Sequence, residues 1–214
     1  AADLGYTEVV FGNLYIGGCT LETHAGHFQN DNASYTYYLN TTGTWESIAS
    51  YKPLSALKSQ NWDYITMQQG SPKSGLPDTY DPYLSTLINI VKKHQPDAKL
   101  IWHMTWAYQA DCTHSGFANY SKNQMTMYNA ILNTVKSKIL TNSHFVGVIP
   151  NGTAVQNLRT SYMGDHLTRD GYHMSYDKGR YLTGLTFAKA LTGCDLSLVK
   201  YTPSEHTYSA KDIA

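Results

Sequence analysis

The chain is poor in cysteine, in charge and in long apolar runs. Its three cysteines, Cys19, Cys112 and Cys194, make an odd count without Cys-x-x-Cys spacing, which argues against a zinc finger or a thioredoxin-type site. They leave open one disulfide or three buried thiols. Only 15% of the residues are charged, sixteen basic against sixteen acidic, and there is no basic cluster. Neither a nucleic-acid partner nor binding to an anionic membrane surface is therefore expected. No apolar run approaches the ~20 residues of a membrane span. No internal repeat appears, and no Pro/Ser-rich linker divides the 214 residues, so a single domain is expected. The composition leaves a neutral small molecule or a glycan as the partner and says nothing about oligomeric state.

What is abundant is aromatic and polar: eighteen Tyr and four Trp among many Asn, Thr and Ser, a balance familiar in exported, sugar-acting proteins. Asn32, Asn40, Asn119 and Asn151 match the N-glycosylation acceptor pattern, which Asn/Thr-rich loops also generate by chance. The opening residues, Ala1 to Gly5, read as the last turn of a helix with Gly as its cap. A strand, a helix and a signal peptide are accordingly expected upstream, and the protein is expected to be secreted or periplasmic.

Thr7 to Phe11 is short, β-branched and apolar, as a buried strand would be, and runs into the turn-forming pair Gly17-Gly18. Ser34 to Leu39 has strand propensity within a polar, aromatic stretch, and Ser50 to Gln60 suits a short helix. Further strands are expected at Trp62–Met67, Lys99–Met104 and Phe145–Ile149. Helices are expected over Tyr80–His94, Tyr120–Leu140 and Ser175–Leu191. Strands that alternate with helices predict a parallel sheet covered on both faces, with its ligand site at the carboxyl ends of the strands. The candidate polar residues fall there: Gly17 and Gly18, Gln68 and Gln69, His103 to Trp106, then Asp170 and His173.

Asp170 and His173 are three residues apart, close enough for one turn to aim the carboxylate at one imidazole nitrogen and leave the other free, as in the orienting half of a Ser-His-Asp hydrolase. The same spacing also suits an aspartate that caps a helix opening near Met174. Asp165, His166, Asp170 and His173 would suffice chemically for zinc, but all four from one ten-residue loop would make a strained cage, so no metal is expected. No cofactor is expected either. His103 and Trp106 suit the lining of a substrate site or the core, and Tyr35 to Tyr38 a sugar-stacking platform or a half-buried strand face.

The order of these blocks resembles the SGNH (GDSL-like) hydrolase superfamily, in particular a bacterial branch with a motif like Gly12-Asn13-Leu14-Tyr15-Ile16-Gly17-Gly18-Cys19-Thr20-Leu21. The likeness covers nearly the whole chain. It implies an α/β fold in three layers, α/β/α, with a mostly parallel flavodoxin-like sheet that here lacks its first strand. It also implies serine-esterase chemistry, often deacetylation of carbohydrates. The final block, Asp-x-x-His, matches Asp170 to His173, with His173 as general base and Asp170 as its partner. Gly18, or else Gly17, matches the backbone oxyanion donor. The third block departs from the family: Gln68-Gln69-Gly70-Ser71-Pro72 stands where Asn is usual, and the amide of Gln69, or second Gln68, is expected to replace it. The nucleophile block is absent, because Gly12-Asn13-Leu14 has Leu in place of Ser. The nucleophile is expected upstream of Ala1, with residues 1–214 inactive by themselves. The alternative implied by Leu14 is a non-catalytic glycan-binding protein on the same fold.

Overall fold

A computed structural model describes residues 2–213. Residues 2–4 form one 3-10 turn ending at Gly5, whose φ is 79°; Ala1 lies outside the described residues.

Among the described residues six strands form two three-stranded sheets. The first is antiparallel: β1 (Phe11–Tyr15), β2 (Tyr35–Asn40) and β3 (Trp45–Tyr51) pair in that order. The second is parallel, in the order β4 (Tyr64–Met67), β5 (Lys99–His103) and β6 (Phe145–Ile149). Among the described residues six α-helices of six residues or more accompany them: α1 (Leu21–Asn30), α2 (Pro53–Lys58), α3 (Tyr83–His94), α4 (Gln124–Thr134), α5 (Asn151–Leu158) and α6 (Lys178–Thr192).

The parallel sheet is the expected one. Leu100, Ile101 and Trp102 of β5 are buried on both faces, as a central strand between two helix layers requires. Leu84, Leu87, Ile88 and Val91 of α3 and Met127 and Ile131 of α4 share one apolar cluster with Leu100 and Trp102, and Leu21, Ala25 and Phe28 of α1 join it. Neighbouring strand residues point to opposite faces. His103 therefore leaves Trp102 on that side and meets Phe187 of α6 across the other, ring centroids 4.9 Å apart. There α5 and α6 pack around Val155 and Leu182. These are the two helix layers of an α/β/α arrangement. Among the described residues no helix is long and apolar enough to cross a membrane.

The N-terminal third departs from expectation. Residues 7–10 carry no regular structure, and the strand lies later, so Gly12-Asn13-Leu14 sits inside β1 opposite Leu39, Tyr38 and Tyr37. The strand belongs to the antiparallel sheet because Tyr35 and Tyr37 bury their rings and draw the neighbouring chain into register over them. Exposed β3 takes in Ser50 and Tyr51, which were expected to open the helix over Ser50 to Gln60; that helix starts only at Pro53, in the first turn where proline is tolerated. The long helix expected over 120–140 begins at Gln124. Left-handed backbone at Ser121 and Lys122 interrupts it, and Asn123 caps it by accepting from the Thr126 N–H at 2.9 Å.

Helix α5 was not expected at all, since Pro150 reads as a stop. Its carbonyl instead accepts from the N–H groups of Thr153 and Ala154, both at 3.0 Å, and opens the helix. The start of α5 lies so close to the end of β5 that a Cβ on Gly152 would stand 2.2 Å from the Thr105 carbonyl oxygen. Backbone must shift to admit it. Gly152→Ala should therefore lower stability by about 1–3 kcal/mol, whereas Gly184→Ala in α6, whose Cβ meets nothing within 4 Å, should be neutral or stabilising. Chemical denaturation of both variants checks this; equal stabilities would contradict the close approach.

Candidate active site

Asp170 to His173 forms a turn closed by the bridge between Thr168 and Met174. The Asp170 carboxylate accepts from the backbone N–H of His173 at 2.8 Å and of Tyr172 at 3.3 Å, and from His173 Nδ1 at 2.7 Å. Nδ1 thus carries the proton, and Nε2 is left for chemistry on an exposed imidazole. Partial burial works against ionising Asp170, but the hydrogen bonds from the His173 side chain and backbone and from Tyr172 outweigh it and hold the carboxyl at about 2. The alternative reading of Asp170, as the cap of a helix near Met174, is not met: α6 starts at Lys178, behind Asp177.

The turn is fastened to the loop that follows β5. Gly171 has φ 91°, and a Cβ there would meet Cys112 Sγ at 3.0 Å, so glycine is required on both counts. The Gly171 carbonyl accepts from Gln109 N–H at 2.8 Å, and the Tyr172 carbonyl accepts from Trp106 Nε1 at 2.7 Å. Trp106, expected to line the substrate site, thus serves as a strut, with its ring 6.3 Å from that of His103. Further back, Asp165 lies 2.7 Å from Arg159 Nε and accepts from Ala110 N–H and Gln124 Nε2, each at 2.8 Å. That carboxylate is spent on positioning the loop, and among the described residues no three His, Cys, Asp or Glu side chains gather to hold a metal. The three cysteines are free thiols. A cavity of about 260 Å³ lies on the Gln109, Cys112 and Thr168 side of Asp170, and His173 does not line it. The imidazole faces open surface.

At the ends of β1 and β4 the geometry exchanges the two expected glutamines. Gln69 is 1% exposed. Its Oε1 accepts from Leu21 and Gly70 N–H, both at 2.9 Å, and its Nε2 donates to the carbonyl and hydroxyl of Thr79, both at 3.1 Å. The expected oxyanion donor is therefore a clamp between three loops with no hydrogen left to give. Gln68 is exposed, its Oε1 meets His103 Nδ1, and its NH₂ has no acceptor among the described residues. His103 Nε2 in turn faces Asn151 Nδ2 at 2.8 Å. Burial pushes the His103 imidazole down to about 4, so it is neutral and one nitrogen must accept. Gly18 has φ 66°, and its N–H also finds no acceptor among the described residues; Gly17 precedes it in the same turn.

Asn151 is not among the residues that the sequence marks for the site: it matches a glycosylation acceptor after a strand, yet it is 0% exposed. The one signal for it in the sequence is Pro150-Asn151-Gly152, a helix start packed on a strand end.

Residues 2–214 match a family model described as a domain of unknown function, DUF4886. The chain is similar to the crystal structure of a DUF4886 family protein from Bacteroides uniformis, at 39% identity and a TM-score of 0.88, over 92% of this chain and 76% of that one. It also aligns with a candidate SGNH hydrolase from Slackia heliotrinireducens, at 22% identity and a TM-score of 0.46, over 64% of this chain and 70% of that one. A candidate GDSL-like lipase from Parabacteroides merdae aligns at 12% identity and a TM-score of 0.44, over 64% and 62%. None of the curated proteins matches.

Two measurements check the site. Gln69→Leu should cost about 1–3 kcal/mol for each N–H it orphans, while Gln68→Ala should stay within about 0.5 kcal/mol of the parent; the reverse order in denaturant titrations would contradict the exchange of roles. The Asp170 carboxyl is depressed from 3.8 to about 2 on folding, so the stability it adds is present above pH 3.8 and disappears as pH falls through about 2. Melting temperatures of the parent and of Asp170→Asn should therefore converge over that window. A constant gap would show that the carboxylate is not held by the turn.

Proposed function

The chain belongs to the DUF4886 family, a domain of unknown function, and we propose that it forms most of an SGNH-type serine esterase acting on a carbohydrate or small ester, deacetylation being the reaction that fits best. One observation carries the reading: His173 Nδ1 is bound to Asp170 at 2.7 Å while Nε2 stands open. A carboxylate fixes the tautomer and stabilises the imidazolium that forms when Nε2 takes a proton.

Among the described residues no Ser, Thr or Cys side chain hydrogen-bonds His173 Nε2. The nucleophile is proposed to lie on a preceding strand that fits between β1 and β4. Among the described residues each of these strands is paired on one edge only. Their loops touch, with a Gly70 Cβ position 3.0 Å from the Cys19 carbonyl oxygen. The row that would be covered stays open, with Phe11 at 47% and Tyr15 at 50% exposed. A sheet leaves long apolar edges and faces unpaired only at the risk of aggregation.

In this reading His173 Nε2 takes the serine proton as the oxygen attacks the ester carbonyl, and the Gly18 N–H supports the oxyanion. The same nitrogen returns the proton to the leaving alcohol, and water repeats the cycle to release the acid. The abundance of Tyr and Trp and an open site suit a glycan ester met outside the cytoplasm. The enzyme is favoured over the glycan-binding alternative because Leu14 lies within β1 and packs on the core instead of standing in a nucleophile turn.

The natural polypeptide should hydrolyse p-nitrophenyl acetate and acetylated xylan, and His173→Ala should lower turnover by about 10⁴-fold or more, with residues 1–214 alone giving little or none. Undiminished turnover in the His173 variant would remove the assignment.

A further inference from the structure

Gln68, His103 and Asn151 form a hydrogen-bonded row across the carboxyl ends of β4 and β5 and the start of α5, beside the Asp170–His173 turn. Gln68 and His103 lie one step beyond the register pair Met67 and Trp102, so they sit side by side on the same face. Resting on the esterase reading, we propose that Gln68 supplies the side-chain oxyanion donor and that His103 and Asn151 are positioning residues that fix its amide.

The row has a direction. Asn151 is fully buried and held in place by the contact of Gly152 with the Thr105 carbonyl and by the Gly152 N–H bond to the Met104 carbonyl at 3.1 Å. Its Nδ2 points at His103 Nε2, and its Oδ1 has no partner among the described residues. Turning that amide over would orphan both of its buried N–H groups, and an orphaned N–H is rarer in proteins than an under-satisfied C=O. A donor from Asn151 makes Nε2 the acceptor, so a neutral His103 carries its proton on Nδ1 and donates it to Gln68 Oε1. With its oxygen held, Gln68 must direct its NH₂ outward at the strand end. Phe187 packs against the imidazole edge-on, ring centroids 4.9 Å apart. Trp106 links the row to the turn, with its ring 6.3 Å from His103 and its Nε1 on the Tyr172 carbonyl. A donor whose orientation is fixed before substrate arrives is what oxyanion stabilisation requires.

The test is a double-mutant cycle on the natural polypeptide with p-nitrophenyl acetate. Gln68→Ala should lower kcat by about 10²–10³-fold with KM little changed. His103→Phe should lower kcat about tenfold or more in the parent but less than twofold in the Gln68→Ala background, because its effect passes through Gln68. Asn151→Asp, which removes the donor to Nε2, should show the same dependence and serves if the His103 variant does not fold. Equal losses from His103→Phe in both backgrounds would overturn the positioning role. Full kcat in Gln68→Ala while His173→Ala is inactive would overturn the donor and leave the esterase reading intact; full turnover in His173→Ala would instead defeat that reading. Independently of activity, ¹⁵N NMR of residues 1–214 should find neutral His103 protonated at Nδ1. A proton on Nε2 would reverse the row and overturn the proposal.

Discussion

The Asp170 carboxylate accepts three hydrogen bonds from the turn that carries it, and a second loop pins that turn from outside. The arrangement is local in sequence but not self-sufficient. Gly171 must adopt left-handed backbone against Cys112, and Trp106 must hold the Tyr172 carbonyl. Both partners belong to the segment that leaves β5. The position of the imidazole is thus inherited from the central strand of the parallel sheet, the most deeply buried element of the fold.

The same strand end organises the other half of the site. Where β5 finishes, Thr105 lies against Gly152, and this contact places Asn151 behind His103 and, through it, Gln68. Buried polar groups are costly unless paired, and here Asn151 Nδ2, His103 and Gln68 Oε1 are paired in sequence toward the surface, with Asn151 Oδ1 left without a partner among the described residues. The positional accuracy of an exposed amide therefore rests on close packing at a helix start. Gln69, its neighbour in the chain, points the other way and closes the loops around α1.

Some of this was legible in the sequence for physical reasons. The parallel strands are continuous apolar runs, and Phe145–Ile149 appears where its β-branched residues put it. Helix α3 shows its buried face in the spacing of Leu84, Leu87, Ile88 and Val91. Asp170 and His173 could be paired because one turn suffices to join them. The antiparallel sheet was obscured because its buried face is built of tyrosines, which score as polar until their rings are seen packed, while β3 is exposed from Trp45 to Ser50. Gln68 and Gln69 could not be told apart, since adjacent residues at a strand end face opposite ways and the sequence does not say which face is inward. Asn151 was hidden because its role depends on a contact between elements far apart in the chain.

The central claim is that Asp170 and His173 serve a serine carried on a strand beside β4. Labelling the natural polypeptide with a fluorophosphonate and mapping the adduct by mass spectrometry tests it most directly. The account predicts one modified serine, preceding Ala1 in the chain, whose labelling is lost in His173→Ala. Labelling of a serine within residues 1–214, or labelling that His173→Ala does not affect, would contradict it.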